Sequence, residues 1–391
     1  MIVRGTLEER ETQALAPYAA CSAASLGRVH GETPHPYRTE FQRDRERIIH
    51  SAAFRRLEYK TQVFVNHEGD NYRTRLTHTI EVAQIARSIA RALALNEDLA
   101  EAVALAHDLG HTPFGHAGED ALTKKMAEDG GFSHNRQSLR VVDVLEERYP
   151  EFLGLNLSFE VREGIVKHET VYDRPEPQMD EFRPEWKPTL EAQLVNYADE
   201  IAYNSHDFDD GLRAGMFAWD ELAAIPLWRK LTAESERAYP NVDGRLRRHH
   251  VVRLLINWQV TNLVEHAQRL LSEERVKSLG DVRAAKTTFM RFSPEFQELI
   301  TPFKRFLFER MYRHYRLVRM ALKAERIVHS LFDAYTSEPR QLDPKFHARL
   351  STSHEPTGPE IRQVVCDYIA GMTDRYAMLE YRKLFDPFER V

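Results

Sequence analysis

From Tyr37 onward almost every stretch of the chain repeats its apolar residues with helical period. Between Thr77 and Leu95, the residues Val82, Ile85, Ile89 and Leu93 recur at spacings of three and four, which sets them on one stripe of a helix. Asn96 can cap the next helix, with Glu97 and Asp98 in its first turn, and Gly110 stands where that helix should stop. The same period predicts helices over about 116–128, 135–149, 158–168, 188–206, 248–273, 304–336 and 359–383. Loops are expected around 130–133, 172–188 and 339–358, where Gly, Pro and Asp cluster. Residues 1–36 read as an irregular arm with one short helix near Thr12–Ala24. No internal repeat or low-complexity tract interrupts the pattern. The chain reads as all-α.

Composition agrees and narrows the class. With 391 residues, 42% of them hydrophobic, the chain can bury a large core, and 17 Gly and 18 Pro disfavour loop-rich or β-rich architectures. No apolar run approaches the roughly 18 residues of a membrane span, and no signal-peptide core opens the sequence. Cys21 and Cys366 alone cannot build a disulfide framework or a cysteine-rich zinc site. The expectation is a cytoplasmic protein with no membrane partner. A net charge of −6 argues against wholesale electrostatic binding of nucleic acid and leaves local basic patches open.

The chemistry lies in the 18 histidines, which cluster in the first half of the chain. His107 and Asp108 are adjacent at the end of an apolar helix, and His78 lies near the start of the preceding one, which a short connection should return alongside. Asp199 sits in Leu194-Val-Asn-Tyr-Ala-Asp-Glu-Ile201, where an ionised carboxylate is costly unless a cation or hydrogen bonds compensate it. Two imidazoles and two carboxylates form a mixed N/O donor set suited to Mn²⁺, Fe²⁺, Co²⁺ or Mg²⁺. His107-Asp-Leu-Gly-His-Thr-Pro-Phe-Gly-His-Ala-Gly-Glu119 adds His111 and His116, with Gly110, Gly115 and Gly118 allowing close backbone approach. Asp199, Tyr203, His206 and Asp207 recur at i, i+4, i+7 and i+8 and so share a helix face.

Taken in order, His78, His107-Asp108 and Asp199 resemble the metal-binding signature of the HD-domain phosphohydrolases. Further segments are similar to the deoxyguanosine-triphosphate triphosphohydrolase branch of that superfamily and its dNTPase relatives. They are Tyr37–Ser51, Phe54–Phe64, His107–His116, Phe132-Ser-His-Asn135, Ala198-Asp-Glu-Ile-Ala-Tyr203 and Val365–Ala377. The resemblance spans about residues 10–390. It implies an HD-domain helical fold with additional C-terminal helices. After the 1–36 arm, one large α-helical dNTPase domain would fill 37–391, with the HD metal core at about 60–215 and a C-terminal helical region at 216–391.

The resemblance also implies roles. His78, His107, Asp108 and Asp199 would hold a divalent metal, Mn²⁺ or Mg²⁺, with Co²⁺, Ni²⁺ and Fe²⁺ open. His111, His116 and His134 would be catalytic, with His116 placed to protonate the leaving deoxynucleoside oxygen. Arg75 would contact phosphate, Gln62 the deoxyribose, and Tyr203 and Asp207 the triphosphate and the 3′-hydroxyl. The expected reaction is metal-dependent hydrolysis of dNTPs, dGTP among them, between the 5′-oxygen and the α-phosphorus, giving deoxynucleoside and inorganic tripolyphosphate. Relatives form homo-oligomers, often hexamers, and several take a dNTP effector at a second site. Two departures matter: Asn135 follows His134 where some relatives carry glutamate, and Glu200 stands where some carry a phosphate-binding lysine after the metal aspartate.

The cation for the γ-phosphate must then come from elsewhere. Residues 304–326 hold Lys304, Arg305, Arg310, Arg313, Arg316, Arg319, Lys323 and Arg326 against Glu309 and Glu325, with Tyr312 and Tyr315 interleaved. As one helix this reads as a triphosphate clamp, an effector-nucleotide site, a groove for single-stranded nucleic acid, or a solvated ion-paired face. Arg43–Lys60 has the same basic bias, but Ile48, Ile49, Phe54 and Leu57 point to burial. His50 and His168 read as packing residues. The tract 365–377 receives no chemical role, and packing is the expectation for it. The alternatives in function are an HD-domain nucleotidase acting on monophosphates, a single-strand nuclease, and a catalytically silent nucleotide- or ssDNA-binding regulator.

Overall fold

Thr74, Asn96, Ser133 and Thr189 each accept a backbone N–H three residues onward, at 3.2–3.4 Å, and so start four helices that carry candidate site residues. Those helices are Arg75–Ala92, Glu97–Ala106, His134–Arg140 and Leu190–Arg213. The computed structural model describes residues 1–63, 72–169, 179–350 and 355–390. The fold is all-α: among the described residues, extended pairing is confined to three isolated bridges, Arg28 with Ser158, Thr61 with Thr74 and Glu147 with Gly154. No described helix is long and apolar enough to cross a membrane. Phe64 and parts of the loops expected at 172–188 and 339–358 lie outside the described residues.

The chain divides into two units that interleave in sequence. The first comprises Met1–Ile48, His78–Leu105 and Asn156–His314, and the second Ile49–Thr77, Ala106–Leu155 and Tyr315–Val391. In the first, Leu190–Arg213 is buried along nearly its whole length and packs against Phe159–Val166, Gly244–Glu273 and Pro294–Leu307. Phe208 on that helix meets Phe217, Trp228 and Phe303, with ring centroids 5.7, 4.9 and 5.6 Å away. Gly164 is required by close packing, since a Cβ there would lie 2.7 Å from Val103 Cγ2.

In the second unit, Tyr315–Ser337 packs against His116–Lys125, Gly358–Ala370 and Asp374–Phe385. Phe114, Leu122, Phe132, Phe332, Tyr335 and Ile369 belong to the core they enclose. Phe114 therefore anchors the loop ahead of His116 in the apolar interior.

Several element boundaries differ from the periodicity. The N-terminal helix is Arg4–Ala14 and not Thr12–Ala24, because Pro17 follows and only a short 3-10 turn forms at Ser22–Ala24. The expected 135–149 helix ends earlier, passing from His134–Arg140 into a π-turn at Val141–Leu145. The expected 359–383 helix breaks between Ala370 and Asp374. Most consequentially, 304–336 is not one helix. Pro294–Leu307 runs into a π-turn at Phe308–Tyr312, and Tyr315–Ser337 begins afresh in the other unit. The eight basic residues therefore do not form one continuous stripe.

Candidate active site

The first unit contributes His78 and Asp199. Both are buried, and His78 Nε2 lies 2.8 Å from Asp199 Oδ1. His168, also buried, brings its Nε2 to 3.7 Å from Asp199 Oδ2. One carboxylate on the buried helix Leu190–Arg213 is thus faced by two imidazoles. A turn further along, Tyr203, His206 and Asp207 are all buried. His206 Nδ1 sits 2.9 Å from Glu81 Oε2, and Tyr312 Oη donates to Asp207 Oδ2 at 2.6 Å. Glu200, standing in the place of the expected lysine, forms an ion pair with Lys304.

The second unit contributes Gln62, Arg75, His107, Asp108, His111, His116 and His134. Gly110 lets the loop after His107 pass directly over the start of the helix His134–Arg140; a Cβ there would lie 2.1 Å from Ser138 N. Ser138 Oγ completes the junction, accepting from Gly110 N at 2.8 Å and donating to His107 O at 2.9 Å. Asp108 is buried, and Arg75 Nη1 donates to its Oδ2 at 2.9 Å. Its Oδ1 lies 3.3 Å from His111 Nε2 and 3.5 Å from His107 Nε2.

His111 stacks on His134, centroids 4.1 Å apart, and meets His116 edge-on at 5.6 Å. Burial, reinforced by the Arg75 charge, holds the His111 imidazole well below its ordinary pKa, so it is neutral near pH 7. Glu119 lies 3.0 Å from His134 Nδ1 and 3.5 Å from His116 Nδ1. Burial alone would raise the Glu119 carboxyl, but the charge of His134 and the hydrogen bonds of His116 and His134 hold it well below the usual carboxylate range. The His116 side chain is 62% exposed, whereas His111 and His134 are buried.

Two polar atoms beside this cluster are conspicuous. Gln62 Oε1 and Arg75 Nε are buried and have no hydrogen-bond partner among the described residues. Gly115 lies next to both residues, since a Cβ on it would sit 3.3 Å from Arg75 Nη2 and 3.7 Å from Gln62 O.

Each expected site residue is thus placed within one unit or the other, with His78, Asp199, Tyr203 and Asp207 in the first. Three further residues lie at the site beyond those singled out in the sequence. His168 reads there as packing, yet faces Asp199. Glu119 supplies the carboxylate for His134 that Asn135 does not. Lys304 is one cation among eight until Glu200 is seen to hold it. For Glu119 a signal existed, because it lies at i+3 from His116 on one helix; for His168 and Lys304 none did. Imidazole and carboxylate donors of the kind a divalent cation takes meet at His78 with Asp199 in the first unit and at His107 with Asp108 in the second. His111, Glu119 and His134 also bring one donor atom each within 4.8 Å of the others.

The sequence is similar to known proteins along its whole length. Residues 75–204 match the HD domain family, and residues 290–383 match the phosphohydrolase-associated domain. A deoxyguanosinetriphosphate triphosphohydrolase-like protein of Geobacter metallireducens is 54% identical over 393 residues, covering 100% of this chain and 99% of the relative. Its namesake in Geobacter sulfurreducens is 51% identical over 391 residues, covering 100% of both. That of Ralstonia pickettii is 54% identical over 377 residues, covering 95% of this chain and 94% of the relative. The chain therefore belongs to the deoxyguanosinetriphosphate triphosphohydrolase-like family of HD-domain proteins.

Proposed function

We propose that the chain is a metal-dependent hydrolase that splits dNTPs between the 5′-oxygen and the α-phosphorus, releasing deoxynucleoside and inorganic tripolyphosphate. The observation that carries this reading is the run of contacts from Asp108 through His111 and His134 to Glu119 and the exposed His116. It joins a buried carboxylate in the HD motif to an imidazole open to solvent, which suits a site where a buried electrophilic centre meets an exchanging proton.

His78, His107, Asp108 and Asp199 would hold the cation; the donor set fits, with two imidazoles and two buried carboxylates. Bound there, a divalent ion such as Mn²⁺ or Mg²⁺ supplies Lewis acidity toward a phosphoryl oxygen and acidifies water. The chain's own residues do the rest. His116 holds the proton for the leaving 5′-oxygen, steadied by Glu119 at its Nδ1 side. His111, neutral and stacked on His134, keeps the buried face uncharged beside Arg75. The guanidinium of Arg75 offsets charge on the phosphoryl oxygens, and its Nε is a buried donor with no acceptor among the described residues. Gln62 Oε1 is the complementary buried acceptor, suited to a sugar hydroxyl.

Tyr203 and Asp207 orient the tail and the 3′-hydroxyl, with Asp207 fixed by Tyr312. Lys304, held by Glu200, supplies the cation that position 200 lacks. Cytoplasmic location, a homo-oligomer and a dNTP effector complete the reading.

Product analysis tests it. The purified chain is incubated with Mn²⁺ or Mg²⁺ and each dNTP, singly and mixed, and the products are separated by ion exchange. Tripolyphosphate with deoxynucleoside is the expected pair, and turnover only in the mixture would reveal an effector. Orthophosphate, or pyrophosphate with a monophosphate, would overturn the reading in favour of another HD phosphohydrolase.

A further inference from the structure

The tract 365–377 lies within the phosphohydrolase-associated region and carries no residue of the candidate site, yet its polar atoms converge on the loops that do. Asp374, the first residue of the helix Asp374–Phe385, is 2% exposed. Its Oδ1 accepts the backbone N–H of Phe114 at 2.8 Å, and its Oδ2 accepts the backbone N–H of Thr61 at 2.9 Å and also the Thr61 hydroxyl. One carboxylate thus ties the residue before Gln62 to the middle of the segment between His111 and His116.

Lys60 makes the second tie. It is 2% exposed, and its Nζ donates to His111 O at 2.5 Å and to Ala370 O at 2.9 Å. Asp367 supplies a third contact, accepting from Gln137 Nε2 and Arg140 Nε on the helix that begins with His134.

The loop needs such restraint. Phe114 adopts φ +65° and Gly115 φ +60°, both in the left-handed region, and for the phenylalanine this costs energy that the surroundings must supply. The Phe114 ring is packed in the core while its amide is held by Asp374. Lys60 is itself an expensive device. Burial, with Arg56 and Arg75 close by, draws its ammonium down to about 7, and both its acceptors are backbone carbonyls, not carboxylates. An apolar side chain in the same space would leave the carbonyls of His111 and Ala370 without this donor and the two segments untied.

We infer that Asp374 and Lys60 are positioning residues, which hold His111, His116 and Gln62 in one fixed relation so that the C-terminal tract sets the geometry of the reacting groups. Both are buried, and neither is assigned a contact with substrate. The inference rests on the proposed phosphohydrolase function only for its kinetic consequence.

The experiment reads backbone hydrogen exchange over residues 111–118 by mass spectrometry in the full chain, alongside bound Mn²⁺, melting temperature and dNTP turnover. Asp374→Asn replaces one acceptor with a donor facing N–H groups. It is expected to speed exchange in 111–118 by about tenfold or more while distant helices keep their protection. Mn²⁺ stoichiometry should be unchanged, and kcat should fall on the order of 100-fold with KM within about twofold. Lys60→Met should do the same without leaving a buried charge. Thr61→Val should show a smaller effect that Thr61→Ser rescues. Unchanged exchange in 111–118, or faster exchange spread evenly over the chain, would overturn the inference. Because exchange needs no substrate, a wild-type chain that fails to hydrolyse dNTPs sinks the functional reading and leaves this one to be decided by the exchange data. Should Asp374→Asn not fold, Lys60→Met and Thr61→Val carry the same readout.

Discussion

Glu119 accepts the backbone N–H of His134 at 3.0 Å and meets the imidazole of the same residue at its Nδ1, also at 3.0 Å. A single carboxylate therefore fixes both where the helix His134–Arg140 starts and how its first side chain is turned. With Nδ1 engaged, His134 presents its other nitrogen away from Glu119 and its face to His111. Glu119→Gln keeps an acceptor for the backbone amide but removes the charge that orients both His134 and His116. We expect kcat to fall by about 10²-fold, the lower end of what positioned acid–base groups contribute, with KM little changed. Steady-state kinetics checks this. An unaltered kcat would remove Glu119 from the proton path.

The same carboxylate gives a pH signature. Its folded-state pKa lies well below the ordinary value of 4.5, so its contribution to stability is complete above about pH 4.5 and is lost as pH falls toward the folded value. The melting temperatures of the wild type and Glu119→Gln should therefore differ most at neutral pH and converge below pH 4. Parallel curves across that range would contradict the linkage.

Glu191 should behave in the opposite sense. It is fully buried, its Oε1 accepts from Ala20 N at 3.0 Å and Asn96 N at 3.1 Å, and its Oε2 has no partner among the described residues. Burial raises its pKa to about 7 from 4.5, against the pull of those amides. The unfolded chain then releases this proton at lower pH than the folded one, so stability drops as pH rises from about 4.5 to 7 and is flat beyond. Glu191→Gln, which keeps the carbonyl acceptor, should remove this slope and raise stability at pH 8 by about 3 kcal/mol. Denaturant titrations at pH 5 and 8 measure it, and an equal effect at both pH values would show that Glu191 is not the group responsible.

The helices were largely legible because their signals are local. Asn96 caps the helix that its position predicts, and the i, i+4, i+7, i+8 spacing of Asp199, Tyr203, His206 and Asp207 does place four buried residues on one helix. Gly110 and Gly118 are glycine for the expected reason, since a Cβ on either would run into backbone atoms at 2.1 and 2.0 Å. What the sequence hid depends on long-range partners. The break after Tyr312 carries neither Pro nor Gly, so eight basic residues at helical spacing looked continuous. Asp374 and Lys60 acquire meaning only through loops some 260 and 50 residues away along the chain.

Metal binding and proton handling should separate by mutation. Asp108→Ala would strand the buried Arg75 guanidinium, a loss of roughly 3–5 kcal/mol, so Asp108→Asn and His107→Ala are the cleaner variants. Both are expected to lose bound Mn²⁺ and turnover together, while His116→Ala keeps Mn²⁺ and loses rate. His134→Gln should also keep full stoichiometry, which distinguishes a cation held by the HD residues from one held by His111, Glu119 and His134. Metal content by elemental analysis beside kcat decides among them, and full activity in Asp108→Asn would refute the ligand assignment.

Lys304 tests the answer to the missing lysine. If it supplies the cation for the triphosphate tail, Lys304→Met should raise KM for dNTPs about tenfold or more, the scale of one charge-assisted contact, and leave Mn²⁺ binding intact. Loss of the lysine also leaves Glu200 half-stranded, because the two form a largely buried ion pair. The double variant Lys304→Met with Glu200→Gln therefore separates the two effects. If KM recovers in the double variant, the single change acted through an uncompensated carboxylate repelling the phosphates. If KM stays high while the melting temperature recovers, Lys304 itself meets the substrate, and Lys304→Arg should then restore most of the affinity because the positive charge is retained.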